Sequence, residues 1–266
     1  MKRTRLLFKI ILGIVLYALA VLTTAAAVKA EQGNDTLFQV STIDALLDGV
    51  YDGAMPVARL IAMGNTGLGT FHALDGEMAV IDGVVYQIRS DGSVRVAEQG
   101  ASTPFAAVTP FEPDLTLTLG NVSSMRELNS ALEALLPNPN IFYAIRATGQ
   151  FRTVKTRSVP RQTKPYPPLK VVAATQPVFD FSDVPGDIVG LWSPAFVKGV
   201  GVPGFHLHFV NAARTGGGHM LDCSFEHLTL TLDATPAFTV VLPQSEDFAT
   251  TNLTLDRAAD LHKVEQ

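Results

Sequence analysis

Short apolar runs alternate with turn residues along most of the chain, and this pattern predicts a protein built mainly of β-strands. Between residues 70 and 98, Asp-Gly pairs at 75–76, 82–83 and 91–92 separate runs that are rich in Val, Ile and Tyr. An Asp-Gly pair between two such runs is a strong hairpin signal, because both residues tolerate the positive φ angles of tight turns. This segment therefore predicts an antiparallel meander.

Apolar runs elsewhere predict more strands. They lie at 36–40, 115–119, 171–174, 178–181, 188–191, 228–232 and 238–242. The stretch 141–159 predicts two strands joined by a turn at Thr148 and Gly149. The glycine-rich run at 64–70 lacks the Gly-Lys-Ser/Thr of a phosphate-binding loop, so it predicts a turn or bulge.

Three stretches carry the periodicity and capping residues of helices. The first runs to about residue 50 from a cap at Ser41 or Thr42, and the second follows a Ser-x-x-Glu capping box at 124–127. The third covers 244–261. A few helices beside many strands predict an α+β fold with mostly antiparallel β-sheet.

The most proline-rich segment is 160–169, which holds four prolines and predicts a stiff, extended connector. It divides the chain into two closely packed lobes, about 36–159 and 170–266. The 236 residues from 31 to 266 suffice for one large domain or for two intimate lobes.

The first 30 residues have the features of a secretory signal peptide. A basic start precedes an apolar run, and the small residues Val28 and Ala30 occupy positions −3 and −1 of a cleavage site. An uncleaved anchor is the alternative, because 10–28 carries no charge and approaches the roughly 20 residues that span a bilayer. We expect cleavage before Glu31 and export to the periplasm or the medium.

The charge of the exported part argues against two classes of partner. Residues 1–30 contain five basic and no acidic residues, which leaves 15 basic and 25 acidic residues and a net charge of −10. We therefore expect no nucleic-acid binding and no membrane association after cleavage. Cys223 is the single cysteine, so no intramolecular disulfide can form.

Three of the six histidines lie in the run GFHLHFVNAARTGGGHMLDC at 204–223. His206 and His208 would point to the same face of a strand, and a hairpin around the glycine-rich turn would bring His219 beside them. Three imidazoles on rigid strands form a facial ligand set that suits Zn²⁺ with positions open for substrate. A His-x-His pair also arises by chance, so spacing alone leaves ordinary structural histidines open.

Three runs together resemble the α-acetolactate decarboxylase family. They are TFHALDGEMAVIDG at 70–83, VKTRSVPRQTKPYPPL at 154–169 and FHLHFV…GGGHMLD within 205–222. The resemblance extends from about residue 36 to the C-terminus. It implies decarboxylation of 2-acetolactate to acetoin at a divalent metal, usually zinc, and it suggests a homodimer. The positions that match the metal ligands are His206, His208 and His219.

The resemblance implies three further site residues, Glu77, Arg157 and Glu265. An arginine can hold the substrate carboxylate through its planar fork, and a glutamic acid can protonate the metal-stabilised enediolate that remains after loss of CO₂. Without the resemblance, Glu77 would be an ordinary solvated turn residue, Arg157 a surface residue and Glu265 part of a frayed terminus.

Two other functions use the same three histidines. One is a cupin-like hydrolase or dioxygenase, which would need a different pocket and would not require Arg157. The other is a non-catalytic exported metal-binding protein, which would bind the ion tightly without turnover. Acetoin release from acetolactate discriminates among all three functions.

Overall fold

The computed structural model describes residues 35–265. The predicted signal peptide lies outside these residues. Within them, fourteen strands form two large sheets and a two-stranded ribbon. No helix in this part of the chain is both long enough and apolar enough to cross a bilayer.

The first sheet has seven strands. In spatial order they are β14 (Ala237–Val241), β1 (Thr36–Val40), β8 (Ala106–Thr109), β3 (Thr66–Thr70), β4 (Glu77–Ile81), β5 (Val84–Ile88) and β6 (Val94–Val96). All neighbours are antiparallel except β1 and β14, which are parallel. The meander predicted from the Asp-Gly pairs is confirmed. Between β4 and β5, Asp82 and Gly83 have φ angles of 51° and 76°, as a tight hairpin turn requires.

The second sheet has five strands, four of which close on themselves. The strands are β9 (Leu115–Val122), β10 (Phe142–Arg157), β11 (Val178–Ser193), β12 (Gly204–Asn211) and β13 (Gly217–Thr235). Strand β10 pairs with β11 and with β13, and β12 pairs with the same two strands, so these four strands form a closed ring. Strand β9 pairs with β13 as well. The ribbon consists of β2 (Met55–Pro56) and β7 (Ser102–Thr103).

The helices are short. They are α1 (Ile43–Leu47), α2 (Val57–Leu60), α3 (Met125–Glu133), α4 (Leu169–Ala173), α5 (Glu246–Thr250) and α6 (Ala258–Glu265), with 3-10 turns at His72–Leu74 and Ala195–Val197. Thr42 caps α1 and Ser124 caps α3, each by accepting a hydrogen bond from a backbone N–H, as predicted.

The two sheets pack face to face through a small apolar cluster. Ala79, Ile81 and Ile88 of the first sheet meet Val189 and Val210 of the second. A larger cluster fills the closed part of the second sheet, where the fully buried Phe151 contacts Phe209 and Phe225 edge to face. This packing fixes β4 against β12, the strand that carries two of the histidines.

Two predicted chain reversals are wrong. Thr148 and Gly149 lie inside the single long strand β10, because they pair with β11 on one side and with β13 on the other. The separate strands predicted at 178–181 and 188–191 are likewise one strand, β11. Pairing on two sides outweighs the local turn preference of Thr-Gly and Pro-Gly sequences.

Three further predictions fail for tertiary reasons. The run 64–70 contains strand β3, whose glycines permit close approach to β8: a Cβ on Gly67 would lie 2.0 Å from the Ala107 carbonyl oxygen. The run 171–174 belongs to α4, which buries Leu169 and Val172 on one helical face. The single helix predicted at 244–261 is replaced by α5 and α6.

The proposed lobe boundary at 160–169 stays a prediction. The division between the sheets does not coincide with it, because β9 and β10 precede this connector yet belong to the second sheet. Strand β14 follows the connector yet belongs to the first sheet.

Candidate metal centre

The three histidines meet where β12 pairs with β13. His206 and His208 project from the same face of β12, and His208 lies directly opposite His219 in the strand register. One ring nitrogen of each histidine lies within 4.8 Å of the others. The side chains of His206, His208 and His219 are only 12%, 0% and 7% exposed. The predicted hairpin and its convergence of imidazoles are therefore present.

The His208 ring is held by the other sheet. Its Nδ1 lies 2.8 Å from the Met78 carbonyl oxygen, so Nδ1 carries the proton and donates it. The Nε2 lone pair is then free, and this buried atom has no hydrogen-bond partner among the described residues. A buried nitrogen that is oriented in this way and left unsatisfied fits a metal ligand whose second nitrogen is bound to a backbone carbonyl.

Glycine lets the His219 strand approach its neighbours. Gly218 has a φ angle of 147°, and a Cβ there would lie 2.4 Å from the Arg157 carbonyl oxygen. A Cβ on Gly217 would lie 2.2 Å from the Phe209 carbonyl oxygen. The two glycines thus permit the tight closure that places His219 against both β12 and β10.

All three imidazoles are neutral at physiological pH in the metal-free protein. Burial lowers the pKa of His206 to about 3, with a further contribution from the Arg157 charge. Burial also lowers the pKa values of His208 and His219 well below the usual range. Neutral imidazole is the form that binds metal, so the donor set needs no deprotonation before an ion enters.

Two carboxyl groups flank the histidines. Glu77 begins β4, and its Oε2 lies 3.7 Å from His208 Nε2. Glu265 is the last described residue of α6, and its Oε2 lies 3.8 Å from His219 Nε2 and 4.0 Å from His206 Nε2. Glu265 therefore belongs to an ordered, docked helix in contact with the site rather than to a frayed end.

In the metal-free protein, burial raises the pKa values of both carboxyl groups, so they stay protonated at pH values where carboxyl groups are normally ionised. Burial raises the pKa of Glu77 to about 8, and Arg157 and the Val159 backbone oppose this rise while Glu265 adds to it. Burial raises the pKa of Glu265 to about 7, again opposed by Arg157. Each can act as a proton donor near neutral pH.

Arg157 supplies a buried positive charge beside the two carboxyl groups. It lies opposite His219 in the register between β10 and β13, and it is 5% exposed rather than a surface residue. Its burial lowers its pKa, while the charges of Glu265 and Glu77 act in the other direction. A buried guanidinium between two acids is well placed to receive an anionic substrate.

The site opens into a cavity of about 50 Å³ with mostly apolar walls. Those walls come from Ile43, Leu46, Leu74, Phe105, Val159, Leu169 and Val264. Two larger clefts, of about 460 and 880 Å³, reach the same region, and Glu265 lines all three spaces. The end of α6 therefore lies between the small cavity and the outer clefts, and His219 also lines the cleft of about 460 Å³.

The structure brings all six residues singled out in the sequence into one site. Sequence reasoning missed the Met78 carbonyl and the apolar walls. Backbone carbonyls carry no residue-specific signal, and Leu74 and Phe105 look like ordinary core residues in the sequence.

Comparison with known proteins gives a consistent result. A family model described as alpha-acetolactate decarboxylase matches residues 37–255, which ends before α6 begins. An alpha-acetolactate decarboxylase from Methanosarcina mazei is 47% identical over 237 residues, covering 89% of this chain and 82% of the relative. That of Bacillus subtilis is 39% identical over 236 residues, covering 88% and 92%.

The fold comparison extends this likeness to three dimensions. The crystal structure of alpha-acetolactate decarboxylase from Bacillus subtilis strain 168 matches with a TM-score of 0.84 and 39% identity. The match covers 86% of this chain and 99% of that chain. The predicted fold class, an α+β protein with mostly antiparallel sheet, is confirmed.

Proposed function

The chain belongs to the α-acetolactate decarboxylase family, and from this premise we propose how its site converts 2-acetolactate to acetoin. The observation that supports the proposal best is the composition of one buried site. Three neutral imidazoles, two carboxyl groups whose pKa values are raised by burial and one guanidinium meet there. Decarboxylation of a hydroxy-keto acid requires an electrophile, a site for the carboxylate and a proton donor, and the site contains candidates for each.

We assign the metal to His206, His208 and His219, and we propose Zn²⁺ or another divalent transition metal. Such an ion supplies Lewis acidity, which stabilises the electron pair that remains when CO₂ leaves. Because the three imidazoles are neutral, they leave the ion's positive charge intact. The Met78 carbonyl keeps His208 in the ligand tautomer.

Arg157 is the proposed binding group for the substrate carboxylate. Its planar fork can donate two parallel hydrogen bonds to a carboxylate, which an ammonium group cannot do. Holding that group at a fixed angle aligns the bond that breaks with the neighbouring ketone. The apolar walls exclude water from the electron-rich intermediate, so a protein acid can deliver the proton.

Glu77 is the proposed proton donor. It lies at the start of a strand in the middle of a sheet, where its position is rigid, and its raised pKa keeps the proton available at neutral pH. His206, His208 and His219 would hold the ion by themselves, which leaves Glu77 to act as an acid rather than as a ligand. Glu265 is the second acid and encloses the other side of the histidine cluster.

Other parts of the proposal rest on sequence. We propose that residues 1–30 direct export to the periplasm or medium and are removed. The partner is the small-molecule substrate, with no nucleic acid and no membrane, and the protein is a homodimer.

The test of the function is acetoin release from racemic acetolactate. We expect turnover that a chelator abolishes and that a divalent ion restores. A hydrolase or dioxygenase would turn over other substrates but release no acetoin. A binding protein would retain the metal without any turnover.

Replacing Arg157 with Lys should lower kcat/KM by about 100-fold or more, because the charge remains but the bidentate fork is lost. Metal content should stay at the wild-type level, which inductively coupled plasma analysis can measure. Arg157→Ala should be at least as impaired. Wild-type kinetics in both variants would show that another group holds the carboxylate.

Replacing Glu265 with Gln should lower kcat by about 10- to 100-fold, since a positioned acid is lost while size and helix packing stay the same. A truncation that removes 264–266 should be impaired further, because Val264 is a buried part of the cavity wall. Comparison of melting temperatures separates the two effects. If Glu265→Gln turns over normally, Glu265 has no part in the reaction.

A further inference from the structure

Helix α6 is too short to be stable alone. It has eight residues, and isolated helices shorter than about 12 residues are marginal in water. Its position must therefore come from contacts with the rest of the protein. Two apolar side chains, Leu261 and Val264, are buried against α1 and α4.

A salt bridge holds the beginning of the helix. The Arg257 carbonyl accepts hydrogen bonds from the backbone N–H groups of Asp260 and Leu261, so Arg257 occupies the position just before the first turn. Its Nη2 lies 2.6 Å from Asp48 Oδ1 at the end of α1. The Arg257 and Asp48 side chains are 11% and 29% exposed, so solvent screens this pair less than a surface pair.

The other ion pairs of this region are more exposed. Lys170 of α4 meets Asp260, and Lys198 meets Asp256, with lysine side chains about half exposed in each case. Exposed pairs contribute little to holding two elements together. Burial raises the pKa of Asp44, one turn before Asp48, and the positive charge of Arg257 opposes this rise. Arg257 is thus the main polar attachment between α6 and α1.

The far end of the same helix carries Glu265, the second acid of the proposed site. Leu261 and Glu265 are four residues apart, so both lie on the face that packs inward. Glu265 reaches His219 and His206 only while that face is docked. The Glu265 backbone is also hydrogen-bonded to the His219 ring. Any tilt of α6 at its beginning would move Glu265 away from the histidines.

We propose that Arg257 is a positioning residue for the reaction: by binding Asp48 it docks α6 on α1 and thereby places Glu265 at the histidine site. This proposal rests on the role assigned to Glu265 above. Arg257 does not touch the substrate, so its effect should pass through Glu265.

The test is a mutant cycle between the two positions. Arg257→Gln should lower kcat by about 10- to 100-fold, because small misplacements of a reacting group are costly. KM should stay within about two-fold, because Arg157 still binds the carboxylate. The double variant Arg257→Gln/Glu265→Gln should be no slower than Glu265→Gln alone, because residues that act as one unit are not additive. Arg257→Lys should recover most of the lost kcat.

Hydrogen exchange gives a readout that is independent of turnover. Amides of Leu261 and Val264 should exchange faster in Arg257→Gln and in Asp48→Asn, in metal-free protein as well as loaded protein. If Arg257→Gln folds poorly, Asp48→Asn provides the same comparison. The matched control is Arg146→Gln, which removes a partly buried arginine that bridges to Asp82 far along the chain from α6. It should leave kcat and α6 exchange unchanged.

The outcomes distinguish the positioning role of Arg257 from the catalytic role proposed for Glu265. Normal turnover in Arg257→Gln and Asp48→Asn, or a loss in the double variant equal to the product of the single losses, overturns the positioning role alone. Normal turnover in Glu265→Gln overturns the role of Glu265 and the positioning role with it. A lower melting temperature with unchanged kcat would make Arg257 purely structural.

Discussion

Replacing His206, His208 or His219 with Ala is expected to abolish acetoin release and to lower bound metal in each case. Each imidazole is a neutral donor buried in the same cluster, and no other His, Cys, Asp or Glu group within residues 35–265 offers a comparable donor set. Changes to residues behind a ligand already cost about 10- to 100-fold in metal affinity, so loss of a ligand should cost more. Metal analysis and calorimetric titration with Zn²⁺ measure the effect.

The control for this prediction is His72→Ala. The His72 side chain is 44% exposed, and its Nδ1 accepts a hydrogen bond from the Gly53 N–H, away from the histidine cluster. This variant should retain metal and most of the activity. Full metal occupancy in all three cluster variants would remove the ligand assignment.

Replacing Glu77 with Gln is expected to slow acetoin release by at least about 100-fold while the metal stays bound. Glutamine keeps the size of the side chain and can still accept the hydrogen bond from the Val159 backbone, but it has no acidic proton to transfer. The variant should still bind a vicinal diol that resembles the product. Glu77→Asp keeps an acidic proton on a shorter side chain. Its rate of acetoin release should therefore lie between the rates of the wild type and of Glu77→Gln.

Stereochemistry gives a second measurement on the same variant. If Glu77 delivers the proton to one face of the intermediate, acetoin formed by Glu77→Gln should be less enantiopure, because water protonates a less controlled face. Chiral gas chromatography gives the enantiomer ratio. Loss of the metal in this variant would make Glu77 mainly a ligand. Normal rate and an unchanged ratio would assign the proton to another group, with Glu265 the first to test.

The local sequence was sufficient to predict the structure where side-chain chemistry and backbone preference agree. The Asp-Gly hairpins, the caps at Thr42 and Ser124 and the histidine hairpin all follow from residue preferences over a few positions. Histidine spacing alone suggested a ligand set. The resemblance was needed for Glu77, Arg157 and Glu265, because nothing in the sequence near them shows that each is buried in the site.

Elsewhere, long-range strand pairing overrides local residue preferences, and predictions made from those preferences are wrong. Thr148 and Gly149 continue a strand because partners flank them on both sides, and the glycines of β3 pack against β8 rather than forming a loop. The docking of α6 depends on Asp48, more than 200 residues earlier in the chain. Such contacts have no local signature, since the closing of a long loop is decided by the whole fold.

If Glu77 is the proton donor, the hydrogen bond from His208 to the Met78 carbonyl would make the handedness of the product depend on how the two sheets pack. Glu77 and Met78 are neighbours on β4, so any shift of this strand moves the acid and the support of the imidazole together. Ala79 is fully buried between the sheets, and the two methyl groups that valine adds would overpack this contact. Ala79→Val should therefore erode enantiomeric purity although it touches no reacting group. A substitution of similar size on the exposed edge strand β6 should leave purity intact, and chiral analysis of both variants tests this dependence. Optical purity could thus serve as a sensitive assay of core packing in engineered versions of this enzyme.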